Sequence, residues 1–291
     1  MKILAPHYQR GFTLIEAVVV MVITGILATM MFSFLKFPVR NYFSGVARAA
    51  AADAADTSMR RIARDLRLAL PNSIRHNPAG TYIEYLETKV GLRYLGDDDV
   101  NSAGGDVLSW DDPAKTLFSV VVAEFPTGSL TPTTNDYIVI YNLGENQEPG
   151  NAYSDCSSAC NITKIQQVDS AGYKLRMTTN VFAGQTAAGV ALKSPGKRFH
   201  VVTGPVTYRC DTATGRLIRY WDYPIATGLS TPPVGGKSAI LAENLTGCSF
   251  TYATMANQRS ALVGIRLDFQ IQDETKGIVS LYHQIHVSNT P

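Results

Sequence analysis

The amino-acid sequence predicts an α+β fold, in which one long N-terminal helix packs on an antiparallel β domain. The first observation is an apolar run of 24 residues from Phe12 to Leu35, in which Glu16 is the only charged residue. The second is a change of pattern after Pro71, where apolar residues alternate with polar ones as in half-buried strands. The third is that these stretches are short and separated by Gly, Pro and Asn, which favours antiparallel pairing over βαβ units.

The apolar run is long enough to cross a membrane. As a helix rising ~1.5 Å per residue it spans ~36 Å, against a hydrocarbon core of ~30 Å. A carboxylate facing lipid near one end of such a helix costs on the order of a few kcal/mol, so Glu16 needs a partner. Cleavage after Gly11 would create one, because the new amino group of Phe12 is a cation at the same depth in the membrane.

The stretch Gly11-Phe12-Thr13-Leu14-Ile15-Glu16, behind a short basic leader, resembles the prepilin peptidase site of type IV pilins and of type II secretion pseudopilins. This resemblance implies a pilin-like fold whose leader, residues 1–11, is removed by cleavage between Gly11 and Phe12. It also implies N-methylation of the Phe12 amine. Glu16 is then expected to act in subunit assembly, by neutralising the amine of a neighbouring subunit.

The same resemblance implies a location and a set of partners. The leader stays in the cytoplasm, residues 12–35 cross the inner membrane once, and residues 71–291 form a periplasmic β-rich domain that later reaches the pilus or cell surface. The implied partners are prepilin peptidase, other major and minor pilins, the inner-membrane assembly platform and membrane lipid.

Two simpler interpretations of the apolar run remain. A secretory signal peptide has an apolar region of ~7–15 residues and a small-residue cleavage site. This run is longer, and residues 34–38 (Phe-Leu-Lys-Phe-Pro) are a poor cleavage site. A plain membrane anchor fits the length but gives no reason for Gly11 or Glu16. Charge does not decide the orientation, because cations flank both ends of the run: Lys2 and Arg10 before it, Lys36 and Arg40 after it.

The composition argues against a generally basic nucleic-acid-binding protein. The chain has 291 residues and a formal net charge of +2, and Lys2 and Arg10 of the leader supply both units. Removing 11 residues from 291 leaves 280, whose side chains sum to zero, so no nucleic-acid partner is expected. That length is enough for one large domain beyond the anchor or for two small ones.

The N-terminal helix is predicted to cover residues 12–70, with a kink at Pro38 and a stop at Pro71. Four arginines near its end favour a solvated terminus, where cations suit the helix dipole, over a DNA-binding patch: Arg60, Arg61, Arg64 and Arg67. Apolar residues recurring at spacings of three and four are expected to pack on a sheet: Val46, Met59, Ile62, Ala63, Leu66, Ala69 and Leu70.

Alternation predicts several strands after the helix. Two hairpins are the clearest, one turning at residues 211–215 and the other at 273–277. A first, weak strand is expected at residues 82–86 and a β-branched one at 136–142. Residues 144–161 and 228–237 are expected to be long exposed loops.

No motif for catalysis or cofactor binding is present, so no catalytic residue and no cofactor are expected. Residues 97–101 have the Asp-x-Asp-x-Asn spacing that begins an EF-hand loop. Ser102 and Leu108 stand where that loop needs a glycine and a bidentate glutamate, which favours a solvated acidic loop over a calcium site. His283 and His286 face opposite sides of a predicted strand and cannot chelate one metal. No metal site is therefore predicted.

The four cysteines predict two disulfides in an oxidising compartment. A four-thiolate zinc site is the alternative, but Cys156 and Cys160 are spaced more widely than the usual two-residue knuckle, and Cys210 and Cys248 have none. Sequence allows three pairings. Cys156–Cys160 and Cys210–Cys248 are chosen because the first two cysteines share one loop.

Residues 55–66 and 281–289 are similar to a minor pilin of the mannose-sensitive haemagglutinin pilus, and the pseudopilin J family of type II secretion is a more distant relative. This resemblance implies a low-abundance subunit that helps initiate a type IV pilus near its tip, without catalysis. The tip-most pseudopilin commonly lacks the glutamate, so Glu16 places this chain below the tip cap.

Two other classes of function remain open. A surface-binding module at the pilus tip needs an exposed aromatic cluster, for which Tyr220, Trp221 and Tyr223 are the only candidates; burial of Trp221 in a core is the simpler interpretation. A membrane-anchored envelope enzyme needs a pocket with convergent polar groups.

Overall fold

The computed structural model describes residues 11–99, 105–157, 160–187, 190–254, 259–272 and 276–291. Its long N-terminal helix, α1, spans Leu14–Leu66 and passes through Pro38 without a break in the helical assignment. The helix therefore starts two residues later and ends four residues earlier than the predicted range of 12–70. The predicted stop at Pro71 lies beyond the turn that follows the last helical residue.

Most of the remaining regular structure is strand, as the alternating pattern predicts. In chain order the described strands are β1 (Arg75–His76), β2 (Tyr82–Arg93), β3 (Leu117–Ser119), β4 (Tyr137–Val139), β5 (Ile162–Asp169), β6 (Lys174–Met177), β7 (Thr186–Ala187), β8 (Val190–Ala191), β9 (Arg198–Asp211), β10 (Arg216–Trp221), β11 (Lys237–Glu243), β12 (Leu245–Thr254), β13 (Ser260–Gln270) and β14 (Ile278–Ser288). Short 3-10 turns cover Asp97–Asp99 and Gly128–Leu130.

Nine of the described strands form one large antiparallel sheet, in the order β1-β2-β9-β4-β5-β6-β3, with β10 joined to β9 and β11 to β10. Strand β9 organises this sheet. Strand β2 pairs along one of its edges, while β4 pairs with residues 200–202 and β10 with residues 206–211 on the other. The other edge divides near Gly204, whose φ of +143° is a conformation that glycine adopts readily, and Pro205, which has no N–H to donate.

A second antiparallel sheet, β12-β13-β14, contains the predicted C-terminal hairpin, whose turn lies partly outside the described residues. The predicted alternation is confirmed, because Val263, Ile265, Leu267 and Phe269 of β13 are all buried. They share one apolar cluster with Ile62 and Leu66 of α1 and with side chains of β2 and β9. The end of the helix is therefore held between the two sheets, where a fully buried leucine or isoleucine contributes about 1.5–3 kcal/mol.

The buried face of α1 covers only its last three turns or so. It begins at Ala55 and includes Met59, Ile62, Ala63 and Leu66. The prediction that Val46 belongs to this face is wrong, because its side chain is 50% exposed. Within the described residues, Ala51 is the first residue of α1 that packs against the main apolar cluster, more than one turn after Val46.

Two predictions about the β domain need correction. The strand expected to be weak at residues 82–86 is the start of the 12-residue β2 and is buried throughout residues 82–86. The loop expected to be exposed at residues 144–161 is partly buried, since Asn151, Ala152 and Tyr153 lie in the interior. Tyr153 donates a hydrogen bond to the carbonyl oxygen of Ser73 at 2.8 Å, which ties this loop to the segment after α1.

Candidate functional site

The expected cleavage site lies in non-helical backbone just ahead of α1. Residues 11–13 are not helical, and Thr13 has the extended dihedral angles of an N-cap residue, with φ −83° and ψ 148°. Its Oγ1 accepts a hydrogen bond from the backbone N–H of Glu16 at 3.4 Å, and its carbonyl oxygen accepts one from Ala17 N at 3.1 Å. The cap satisfies one of the otherwise unpaired N–H groups of the first helical turn.

The side chains around the expected cleavage site face outward. Phe12 is 77% exposed, and an added Cβ at Gly11 would meet no atom of the described residues within 4 Å. The described part of this fold therefore gives no steric reason for a glycine at position 11.

Helix α1 also carries the expected membrane span. Among the described residues it is the one helix long and apolar enough to cross a membrane, and its most apolar window has a mean hydropathy of 2.4. No residue of that window is buried in this chain. An apolar surface of this size needs lipid or other protein to cover it.

Glu16 lies in the first turn of α1 and is exposed. Within the described residues its carboxylate accepts no hydrogen bond and forms no ion pair. A carboxylate at this end of a helix is favoured by the positive end of the helix dipole.

The opposite end of α1 is tied to the large sheet by a buried carboxylate that sequence analysis did not single out. Asp65 forms an ion pair with Nε of Arg219 on β10 at 2.9 Å and accepts a hydrogen bond from the Tyr208 hydroxyl of β9 at 2.6 Å. Burial, and then the hydrogen bond to Asp65, raise the pKa of Tyr208 above its ordinary value. The sequence did carry a signal for this residue, because Asp65 is a carboxylate placed among the apolar residues of the helix face that was predicted to be buried.

The arginine cluster at the end of α1 is solvated, as expected. Arg60, Arg61, Arg64 and Arg67 are all exposed. Arg60 pairs with Asp56 at 2.6 Å, and Arg61 pairs with Asp65 at 3.2 Å, both within the helix. Two of the four cations are thus partly neutralised by the helix itself.

A second buried ion pair organises the loops on the other side of the sheet. Arg75 of β1 and Glu84 of β2 are 2.6 Å apart, with only 4% and 2% of their side-chain surfaces exposed. The Arg75 guanidinium also lies 3.7 Å from the centre of the Tyr153 ring and donates to the carbonyl oxygens of residues 226–228. The pair therefore fixes residues 153 and 226–228 against the first hairpin.

This network also holds part of the candidate aromatic cluster inside the protein. Tyr223 is 8% exposed, and its hydroxyl donates to Glu84 at 2.9 Å. Trp221 is partly buried against the main core, and the Arg219 guanidinium lies 5.1 Å from its ring. Tyr220, Trp221 and Tyr223 therefore do not form an exposed aromatic surface.

The acidic loop considered for calcium is paired with cations instead. Asp99 accepts hydrogen bonds from Arg93 at 2.8 Å and from Lys197 at 2.9 Å. These, with the Lys197 contact first and the Gly96 backbone N–H second, lower the pKa of Asp99 to about 2. Leu108 is buried, and Asn101 and Ser102 lie outside the described residues.

The histidines and the other possible metal ligands remain separate. His283 and His286 both lie on β14 and are exposed. Among the described residues, no group of three or more His, Cys, Asp and Glu side chains is arranged to hold a metal ion.

The structure pairs all four cysteines. Cys156 is bonded to Cys160 within one loop, and Cys210 of β9 is bonded to Cys248 of β12, with Cα atoms 4.8 Å and 6.1 Å apart respectively. This is the pairing chosen from the sequence. The second bond joins the large sheet to the three-stranded sheet.

A family model for the prokaryotic N-terminal methylation motif matches residues 6–32. The match contains Gly11, Phe12 and Glu16 and supports a type IV pilin-like protein. No curated protein and no solved structure matches the chain.

Proposed function

We propose that this type IV pilin-like chain is a minor pilin that helps initiate assembly of a pilus of the mannose-sensitive haemagglutinin type, near its tip. The observation that carries the proposal is the methylation motif at residues 6–32, placed where a solvent-exposed, non-helical segment meets an apolar helix. The role is structural, without catalysis or a cofactor.

Prepilin peptidase hydrolyses the bond between Gly11 and Phe12. Water adds across this bond, so that Gly11 leaves with a new carboxylate and Phe12 keeps a new amine, which is then N-methylated. The exposed, non-helical backbone of residues 11–13 supports this step. The open space around Gly11 also supports cleavage at this bond, because the requirement for a small residue would then come from the binding site of the peptidase.

Glu16 is the assembly group in this proposal. In a single membrane-inserted subunit its carboxylate costs on the order of a few kcal/mol. In a filament it meets the Phe12 amine of a neighbouring subunit. At ~4 Å and an effective dielectric of ~20, two such charges attract by ~4 kcal/mol, which offsets most of that cost.

The location and partners follow from the same interpretation. The chain is a single-pass inner-membrane protein with its leader in the cytoplasm and its β domain in the periplasm, and it later enters the pilus at the cell surface. Prepilin peptidase, other major and minor pilins, the inner-membrane assembly platform and membrane lipid are its partners. The exposed apolar surface of α1 supports contact first with lipid and then with other subunits.

The pilus type and position are supported by resemblance. Residues 55–66 and 281–289 resemble the minor pilin MshO, and in this structure the end of α1 packs against β14, which spans Ile278–Ser288. The two resembling stretches therefore form one structural unit. Retention of Glu16 supports a place below the tip cap, and a pseudopilin J-like subunit of type II secretion is the second candidate.

An adhesin at the pilus tip is not supported by the aromatic residues, because Tyr223 is buried and bonded to Glu84. The partners decide between the remaining candidates. A photo-crosslinking residue in place of Tyr42, which is 68% exposed on α1, should capture other pilins in whole cells. The same probe in place of Tyr282, 62% exposed on the outer sheet face, is the matched control for non-specific capture. Capture of type II secretion subunits would select the second candidate, and capture of no pilin-like subunit would contradict both.

A further inference from the structure

We infer that Thr13 positions the peptide bond that prepilin peptidase cuts, by capping α1 two residues after Gly11. This inference rests on the proposed function, because it concerns the same cleavage. In this inference Thr13 acts by keeping the scissile bond outside the helix, and it does not need to contact the enzyme itself.

The sequence Thr13-Leu14-Ile15-Glu16 has the Thr-x-x-Glu spacing of a capping box, in which the first side chain bonds the backbone N–H three residues on. The structure shows that bond, from Glu16 N to Thr13 Oγ1. Helix α1 accordingly begins at Leu14, and residues 11–13 stay outside it.

The cap competes with a longer helix for one donor. If α1 extended towards Gly11, the N–H of Glu16 would bond to the carbonyl oxygen of Phe12, and the N–H of Ile15 would bond to that of Gly11. Thr13 Oγ1 takes the Glu16 N–H instead, so this donor gains nothing from extension. The hydrogen bond from the Glu16 N–H to Thr13 Oγ1 is more important in an apolar environment, because an unpaired N–H there has no water to bond to.

Hydrolysis needs the shorter helix. Water must add to the carbonyl carbon of Gly11, and the bond to the Phe12 nitrogen must then break, leaving a carboxylate and an amine. In an extended helix the Gly11 carbonyl would point along the helix axis into a hydrogen bond with Ile15. In the observed structure Gly11 and Phe12 lie outside the helix, ahead of the cap, and both are exposed.

The test compares cleavage of full-length precursors in detergent micelles by membranes that contain prepilin peptidase, with the cut followed by mass spectrometry. Thr13→Val keeps the shape of the side chain and removes the cap. Its initial rate should fall about five-fold, which corresponds to the ~1 kcal/mol that an N-cap typically contributes. Thr13→Asn changes the shape and keeps a strong cap, so its rate should stay within about two-fold of wild type.

Thr24→Val is the matched control, because the Thr24 hydroxyl bonds only within the helix, to the carbonyl oxygen of Val20 at 2.7 Å and that of Met21 at 3.1 Å. It should be cut at the wild-type rate. Hydrogen exchange at the Glu16 amide should accelerate in Thr13→Val alone. Equal rates for wild type and Thr13→Val, or a Thr13→Asn rate as low as that of Thr13→Val, overturn this inference. A wild-type chain that is not cut after Gly11 overturns the proposed function as well.

Discussion

The carboxylate of Asp65, in the last turn of α1, lies 2.9 Å from Nε of Arg219 on β10. Their side chains are only 8% and 11% exposed, so both charges are largely removed from water and depend on each other. The ion pair connects the one long helix to the edge of the large sheet that β10 and β11 form. It therefore ties the last turn of the helix to that edge of the sheet.

Replacing Asp65 by asparagine should destabilise the protein strongly. The amide can still accept a hydrogen bond from Tyr208, but the Arg219 charge loses its main partner, and removing one member of a buried pair costs about 3–5 kcal/mol. Urea unfolding of the full chain in detergent, followed by tryptophan fluorescence, measures the destabilisation. Asp56→Asn is the control: its pair with Arg60 is 49% and 75% exposed, so solvent screens it and its loss should destabilise the protein much less. Equal destabilisation by the two variants would contradict a special role for Asp65.

Replacing Gly11 by valine should block processing without disturbing the fold. A Cβ at this position meets no atom of the described residues within 4 Å, so we expect the substitution to disturb only the fit of the peptidase around a nearly side-chain-free residue. Mass spectrometry of the membrane fraction should find the mature wild-type chain beginning at Phe12 and the variant uncut. Any other mature N-terminus would contradict the assignment of the cleavage site.

Replacing Glu16 by alanine should leave membrane insertion and cleavage intact and weaken association with other subunits. Glu16→Gln, which keeps the size and removes the charge, should behave like the alanine variant. Glu16→Asp should restore assembly partly, because the charge survives on a shorter side chain. Co-purification with pilus subunits and counts of surface pili report the effect. Normal assembly by Glu16→Ala would mean that another group docks this subunit.

Loss of the inter-sheet disulfide should cost more than loss of the loop disulfide. The chain-entropy model gives ~4 kcal/mol for a loop of the Cys210–Cys248 length and ~2 kcal/mol for one of the Cys156–Cys160 length. The two pairs are 38 and 4 residues apart in sequence. Paired serine substitutions and urea unfolding compare them. Non-reducing peptide mapping of the wild-type protein from the cell envelope provides the control, and four free thiols or bound zinc would contradict the pairing.

His200 should make the protein less stable below neutral pH. Burial, and then the nearby Arg198 charge, lower its pKa from 6.5 to about 4. Between pH 4 and pH 6.5 the unfolded chain therefore binds a proton at this histidine, and the folded chain does not. The free energy of unfolding consequently decreases as the pH drops from 6.5 to 4. His200→Gln should remove this part of the pH dependence, on the order of a few kcal/mol. Subtracting the urea midpoint of the variant from that of the wild type at several pH values separates the His200 contribution from that of the carboxylates. If the two proteins gave parallel curves of urea midpoint against pH, this prediction would be contradicted.

Several features of this protein could be predicted from the sequence because their signals are local. The apolar run predicted α1, and the alternation from Val263 onwards predicted the buried face of β13. The methylation motif, which contains Gly11, Phe12 and Glu16, was recognisable because these residues lie within a few positions of one another. The sequence analysis did not predict that Thr13 caps α1, although Thr13 and Glu16 have the spacing of a capping box.

Other features depend on partners far apart in the chain. The sequence predicted only a weak strand at Tyr82–Leu86. In the structure this segment pairs with β9 along one edge, and side chains on both of its faces are buried. The burial of Tyr223 depends on Glu84, 139 residues away, and that of Asp65 on Arg219, 154 residues away.

What the sequence by itself determined is therefore the helix, the hairpins and the methylation motif at residues 6–32, all recorded in patterns that are local in the chain. What only the tertiary structure decided is where charges become buried. Desolvation of Asp65, Arg75 and Glu84 is tolerated only when an opposite charge arrives from another element, and no local pattern records which element that is.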